Sequence, residues 1–325
     1  MLTTVMYHYV RDIPNSRWPR LKGLLPGDFA GQLDFIQRHY AVCSPDRVLA
    51  AAGGGEPLPT NACLLTFDDG LADHYHTVLP MLLERGLAAG FYPIGAAVDA
   101  AEVMNVHKAH FILDAEPDVG RLLAETWELV ERCREQYDLP ERAELQRRCI
   151  TGAARFDDAE TITLKRLLQQ ALPRPVARRC ADELFRRHVT SDERGFAEEL
   201  YLSPAQIREM AAAGMGIGGH GYRHEWLEDL PRREQVEDLE RTRDFLHRIL
   251  GRGPEDWILT YPFGSCNRHT FDLLERLPGC RLAFISSPGL EEDFSRRWTM
   301  RRLDTNDLPR DGRALPGEWT RKLAA

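Results

Sequence analysis

Ala62-Cys63-Leu64-Leu65-Thr66-Phe67-Asp68-Asp69-Gly70 decides the fold class of this 325-residue chain. Its first six residues form a continuous apolar run of the kind a strand buried on both faces shows, and it stops abruptly in two carboxylates and a glycine. Leu2 to Tyr7, before it, is a second short strand candidate, followed by a loop rich in Pro, Gly and Arg through about Gly27. Asp28 to His39 carries Phe29, Leu33 and Phe35-Ile36 at helical spacing, with Asp28 placed to cap it. A helix through Val78 to Leu83 and another apolar run at Ala88 to Ile94 continue an alternation of strand and helix that predicts a parallel sheet or barrel.

From about Asn105 to Leu202 the texture changes to Leu, Arg and Glu at helical spacing, which reads as a helical insertion within one domain spanning 1–325. Strand-like segments resume at Met215 to Gly218, Trp257 to Tyr261, Arg281 to Ile285 and Trp298 to Arg301, with a charged helix at Glu234 to Leu250. Lys+Arg 42 against Asp+Glu 50 leaves a net charge of −8, without the global positive excess that non-specific nucleic-acid binding requires. No apolar run approaches the roughly 18–20 residues of a membrane span. Met1 to Val10 lacks the pattern of a secretory signal, and the seven cysteines include no CxxC pair, so a cytoplasmic setting is expected.

Three polar clusters each stand just past an apolar strand: Asp68-Asp69-Gly70, His220-Gly-Tyr-Arg-His224 and Tyr261-Pro-Phe-Gly264. Each has an ordinary reading alone, as a turn, a helix cap or neighbouring surface histidines. In a parallel α/β barrel, however, the C-terminal strand ends share one face, so the three can converge. Two imidazoles and a carboxylate are a standard catalytic ligand set for a divalent ion, with positions left for water and substrate. Adjacent residues on an extended stretch point in opposite directions, so one Asp can hold metal while its neighbour takes a proton. His74 and His76, next along the chain, read as surface residues, and Asp73 as a cap or a supporting carboxylate.

Together these clusters make the sequence resemble the polysaccharide deacetylase family, the NodB-homology or carbohydrate esterase 4 group. Thr66-Phe-Asp-Asp-Gly70 matches its first motif and His220-Gly-Tyr-Arg-His224 its second, while Met6-Tyr-His-Tyr-Val10, Tyr261-Pro-Phe-Gly264 and Arg302-Leu-Asp304 look like flanking features of bacterial members. The resemblance implies a distorted (β/α) barrel of the NodB type and one divalent metal, zinc or else cobalt, nickel or iron. It further implies that Asp69, His220 and His224 hold the metal, that Asp68 takes a proton from the metal-bound water, and that the Phe263 N–H stabilises the oxyanion. Two features depart from the family pattern. Thr260 and Phe263 stand where an Arg and a Tyr are usual, so Arg302 is the candidate to orient Asp68. The late His that protonates the leaving amine is missing, which leaves His8, His107 and His110 as candidates for the catalytic face, the latter two as substrate contacts together with Tyr261.

The implied activity is metal-dependent removal of an N-acyl group, acetyl above all, from an amino sugar or sugar conjugate, such as a nucleotide- or lipid-linked precursor of a surface polysaccharide. The insertion would be a lid or specificity element. The rival expectations are hydrolysis of another amide, such as a formamide, cyclic imide or acylated metabolite, and a non-catalytic sugar-binding member of the fold.

Overall fold

The computed structural model describes residues 1–149, 157–251 and 255–319. Eight strands occur among them: β1 (Leu2–Tyr7), β2 (Ala41–Val42), β3 (Ala62–Asp69), β4 (Gly90–Pro93), β5 (Gly216–Ile217), β6 (Trp257–Thr260), β7 (Cys280–Phe284) and β8 (Leu303–Asp304). All ladder pairings are parallel. β3 lies at the centre: β1 covers one side, and on the other β2 pairs with its first two residues and β4 with its last four. The main sheet runs β5-β4-β3-β1-β8, and β6-β7 form a second sheet. Isolated parallel bridges Gly219–Leu259 and Phe284–Met300 connect the two, so the hydrogen-bonded neighbours form a circuit that returns through Met300 to the chain entering β8. This is the expected α/β architecture with a parallel sheet.

The chain divides into two compact units. The first comprises Met1–Asp12, Gly23–Ala100 and Glu198–Ala325 and holds every strand. The second comprises Ile13–Lys22 and Ala101–Ala197 and is helical, so it takes in part of the early loop as well as most of the segment read as an insertion. Residues 150–156 of that segment lie outside the described residues. No described helix is long and apolar enough to cross a membrane.

All eight residues of β3 are buried, and alternation divides their side chains between two faces. Phe67 sits in register with Tyr7 and Phe91, and its ring stacks between theirs at centroid distances of 4.9 Å each, with Phe29 edge-on at 5.9 Å. Thr66 and Asp68 therefore share the opposite face. At the end of β3, Asp69 (φ 74°) and Gly70 (φ 66°) adopt left-handed backbone, which ends the strand. A Cβ on Gly70 would stand 2.6 Å from Pro93 Cβ, so this turn needs glycine for space as well as for conformation.

Three local expectations are corrected. The helix expected to begin at Asp28 spans Pro26–His39, because Pro26 fits the first turn where no N–H is needed, and Leu25 holds the cap position. Trp298–Arg301 is not a strand: only Met300 bridges β7, and the pairing with β1 falls to Leu303–Asp304. His74 is fully buried, because the π-helical turn His74–Val78 directly after β3 carries its ring in against Phe67 and Phe91, at 5.5 and 5.7 Å.

Phe67 holds both the aromatic layer and the strand that carries the carboxylates. Phe67→Ala is expected to cost about 3–5 kcal/mol in urea unfolding; a loss below about 1 kcal/mol would contradict this packing.

Candidate active site

The strand ends bring together residues that are more than 200 positions apart. Asp68 and Asp69 terminate β3, His220 and His224 lie in the loop after β5, Thr260 ends β6 and Arg302 directly precedes β8. Asp69 and the two histidines each offer a ligand atom, and these atoms lie within 4.8 Å of one another. Both imidazoles direct Nε2 at the same oxygen, Asp69 Oδ1, at 3.4 Å from His220 and 3.5 Å from His224.

The tautomer of His220 follows from its other nitrogen. Nδ1 lies 2.8 Å from the Thr260 carbonyl oxygen, and the Thr260 hydroxyl is 2.7 Å away. A carbonyl can only accept, so Nδ1 carries the hydrogen and Nε2 presents its lone pair. Burial works against a charge on this ring, but Asp68 and Asp69 outweigh it and raise the pKa. A divalent cation can take the place of that proton, and two nitrogen lone pairs with one carboxylate oxygen fit such an ion.

Asp68 is compensated differently. Arg302 donates from Nη1 to Oδ1 at 2.9 Å and from Nη2 to Oδ2 at 2.6 Å, a two-pronged pair with both side chains 1% exposed. The guanidinium also donates to Thr66 Oγ1 (3.2 Å) and to the Ile285 carbonyl (3.2 Å). Burial pushes the Asp68 carboxyl up, but Arg302 first and then His220 and His8 overcome it and hold the group at about 2. Arg302, just ahead of β8, thus stands against Asp68, where the family pattern would bring an Arg from position 260. Thr260, at that usual position, contacts His220 instead.

His8 is half-buried and directly follows β1, whose last residue Tyr7 pairs with Phe67, and its charge acts on Asp68. Its carbonyl lies 3.0 Å from His74 Nε2, and burial lowers the His74 pKa to about 4, which keeps that ring neutral. Asp73 accepts from the Val10 N–H at 3.2 Å and from Arg11 Nε at 2.8 Å, so it fixes the segment after His8. Phe263 has left-handed backbone (φ 58°), its ring lies 4.6 Å from that of His224, and it stacks on Trp226 at 4.4 Å with 5° between the planes.

Tyr261 is 1% exposed, beside the Cys266 and Cys280 thiols, because the step past Thr260 turns its ring into the core. His107, buried, and His110, half-buried, lie on the helix Asn105–Ala115 of the second unit. Two further residues join the site: Thr260 through His220 Nδ1, and Trp226 through the Phe263 ring. The available signal was the position of Thr260 at the end of an apolar strand and of Trp226 two residues after His224.

The polysaccharide deacetylase family model matches residues 55–136 and 183–279, more than half of the chain, and the chain belongs to that family. The match includes Asp68, Asp69, His220, His224, Thr260 and Phe263, and leaves His8 and Arg302 outside it. A curated relative is the poly-beta-1,6-N-acetyl-D-glucosamine N-deacetylase of Escherichia coli strain K12, 35% identical over 77 residues. That stretch is 24% of this chain and only 12% of the relative. Among solved structures, the Streptococcus pyogenes deacetylase PplD in complex with acetate aligns with a TM-score of 0.57 at 16% identity, over 99% of this chain and 96% of that one. IcaB from Ammonifex degensii aligns with a TM-score of 0.55 at 18% identity, over 99% and 97%. At these identities the likeness is one of fold.

The Asp68–Arg302 pair makes a prediction about stability. The folded pKa of Asp68 (about 2) lies below its ordinary 3.8, so the pair contributes fully above about pH 4 and its contribution is lost as pH falls through 2. That contribution is on the order of 2 kcal/mol. In chelator-treated protein, Arg302→Met is expected to cost about 3–5 kcal/mol by leaving a buried carboxylate uncompensated, and adding Asp68→Asn should restore much of the loss. Equal stability of Arg302→Met and wild type in urea titrations would contradict the pairing.

Proposed function

We propose that this protein is a metal-dependent N-deacetylase that acts on N-acetylglucosamine units of a glycan or glycan precursor. The observation that carries the reading is the convergence of both histidine Nε2 atoms on Asp69 Oδ1 beside a second carboxylate held ionised by Arg302. Asp69, His220 and His224 would hold one divalent cation, with zinc the natural occupant of a two-nitrogen, one-oxygen set and cobalt, nickel or iron the alternatives. When bound, such an ion lowers the pKa of water toward neutrality and polarises the acyl oxygen.

The chain's own groups supply the rest. Asp68 accepts the proton of the attacking water. Arg302 keeps it ionised at the expense of basicity, so it is the pKa of the water that has to move. Arg302 acts through Asp68 and is a positioning residue. The Phe263 N–H donates to the carbonyl oxygen as that oxygen gains charge. His8, directly after β1 and near enough to Asp68 for its charge to act there, would deliver a proton to the departing amine.

The rival reading, another amide as substrate, rests on two departures, the Arg missing at position 260 and the missing late His. Arg302 against Asp68 answers the first of them. The E. coli relative acts, by its name, on poly-beta-1,6-N-acetyl-D-glucosamine, which makes β-1,6-linked oligomers the first substrate to try.

The test combines elemental analysis with amine release from β-1,6-linked N-acetylglucosamine oligomers, chitooligosaccharides, a nucleotide-linked N-acetylglucosamine and N-formyl analogues. Wild type is expected to carry about one divalent ion and to turn over an acetylated sugar. His220→Ala should lose the ion, and Asp68→Asn should lower kcat about 10²–10⁴-fold while keeping it. Metal binding with every sugar inert would overturn the substrate class, and absence of metal binding would overturn the catalytic reading.

A further inference from the structure

The loop between the two metal-ligand candidates, Gly221-Tyr222-Arg223, carries no ligand itself, yet it sets the spacing and direction of both histidines. Its backbone is gripped from two sides. The Gly95 N–H donates to the Gly221 carbonyl at 3.3 Å, and the Ala96 N–H to the Tyr222 carbonyl at 2.8 Å. From the other side, Asp238 on the helix Arg232–Leu250 accepts the Tyr222 N–H on Oδ2 at 2.9 Å and the Arg223 N–H on Oδ1 at 3.0 Å. Asp238 is 6% exposed. Its helix turn is tied down by Thr242, whose hydroxyl donates to the Asp238 carbonyl at 2.7 Å.

The Tyr222 side chain is held as well. Its hydroxyl donates to Asp99 at 3.2 Å, and the Arg241 guanidinium, from the Asp238 helix, lies 3.8 Å over its ring. The enclosure matters because His224 has left-handed backbone (φ 55°), which a non-glycine residue keeps only where its surroundings over-determine it. Two consecutive N–H groups held by the two oxygens of one buried carboxylate are such a determinant.

We propose that Asp238 is a positioning residue for the metal centre: by accepting both loop N–H groups it presets the His220–His224 geometry for a cation before the ion arrives. The inference rests on the proposed function, because it requires these histidines to ligate. It adds a residue 14 positions beyond the second histidine, on a different element. Only a carboxylate can accept on both oxygens. In Asp238→Asn one position becomes an NH₂ that faces a backbone N–H, so one loop donor is left unmatched.

The test measures zinc affinity by chelator competition, the absorption spectrum of the cobalt-loaded protein and the Tm of the metal-free protein, for wild type, Asp238→Asn and Gly95→Ala. Gly95→Ala presses the same loop from the other side, since its Cβ would meet the Tyr222 ring. Asp238→Asn is expected to weaken zinc binding about 10–100-fold and to change the cobalt spectrum, with kcat recovering as zinc is raised. Gly95→Ala should move both readouts in the same direction. A lower Tm with wild-type zinc affinity and cobalt spectrum would reduce Asp238 to a structural role and overturn the inference. If Asp238→Asn fails to fold, Gly95→Ala decides: reduced affinity supports the proposal, and unchanged affinity overturns it. If wild type itself binds no metal, the proposed function fails and this inference with it, whereas failure of the inference alone leaves wild-type metal binding intact.

Discussion

Two carboxylates at the end of one fully buried strand cannot both stay ionised unless each has its own compensating charge. This constraint organises the site. Alternation along β3 turns Asp68 and Thr66 to one face, where Arg302 from the last strand segment reaches both. Asp69, where the backbone turns left-handed, faces two imidazoles instead. The two acids are thus neighbours in sequence and separate in chemistry. One is matched by a fixed cation on the chain, and the other faces two imidazole nitrogens with which it could hold a mobile one.

The same division appears in the backbone. Among the described residues four non-glycine positions have positive φ, and three of them, Asp69, His224 and Phe263, belong to this cluster. Left-handed backbone at such residues costs on the order of 1–3 kcal/mol each and persists only when the surroundings impose it. Those surroundings are visible: the aromatic layer of Tyr7, Phe67 and Phe91 behind β3, the grip on Gly221–Arg223, and the Trp226 ring against Phe263. The scaffold holds the side chains in advance, as a catalytic constellation requires.

Much of this was legible in the sequence because it is local. The apolar run of β3, the abrupt Asp68-Asp69-Gly70 and the His220–His224 spacing point to strand, turn and candidate ligands within a few residues each. What could not be read is what depends on distant pairing. Thr260 looked like a lost arginine; only the pairing of β6 beside the His220 loop makes it a partner for Nδ1. Arg302 was suspected of facing Asp68, but the two-pronged contact depends on a strand pairing more than 200 residues apart. His74 looked like an exposed residue in a polar stretch, and a single π turn buries it. Tyr261 sat in a promising motif, and one step past a strand end sends its ring into the core. The second unit joined Ile13–Lys22 to the long helical segment, a pairing without any periodic signal in either piece.

The central claim is that Asp69, His220 and His224 form one cation site and that Asp68 stands beside it without being a ligand. Anomalous diffraction from crystals of the zinc-loaded protein, recorded above and below the zinc absorption edge, addresses this most directly. The account predicts one strong peak at about 2.0–2.2 Å from an Asp69 carboxylate oxygen and from both Nε2 atoms, with Asp68 still paired to Arg302. A peak ligated by Asp68 in place of Asp69, or a zinc ion bound only elsewhere on the molecule, would contradict it.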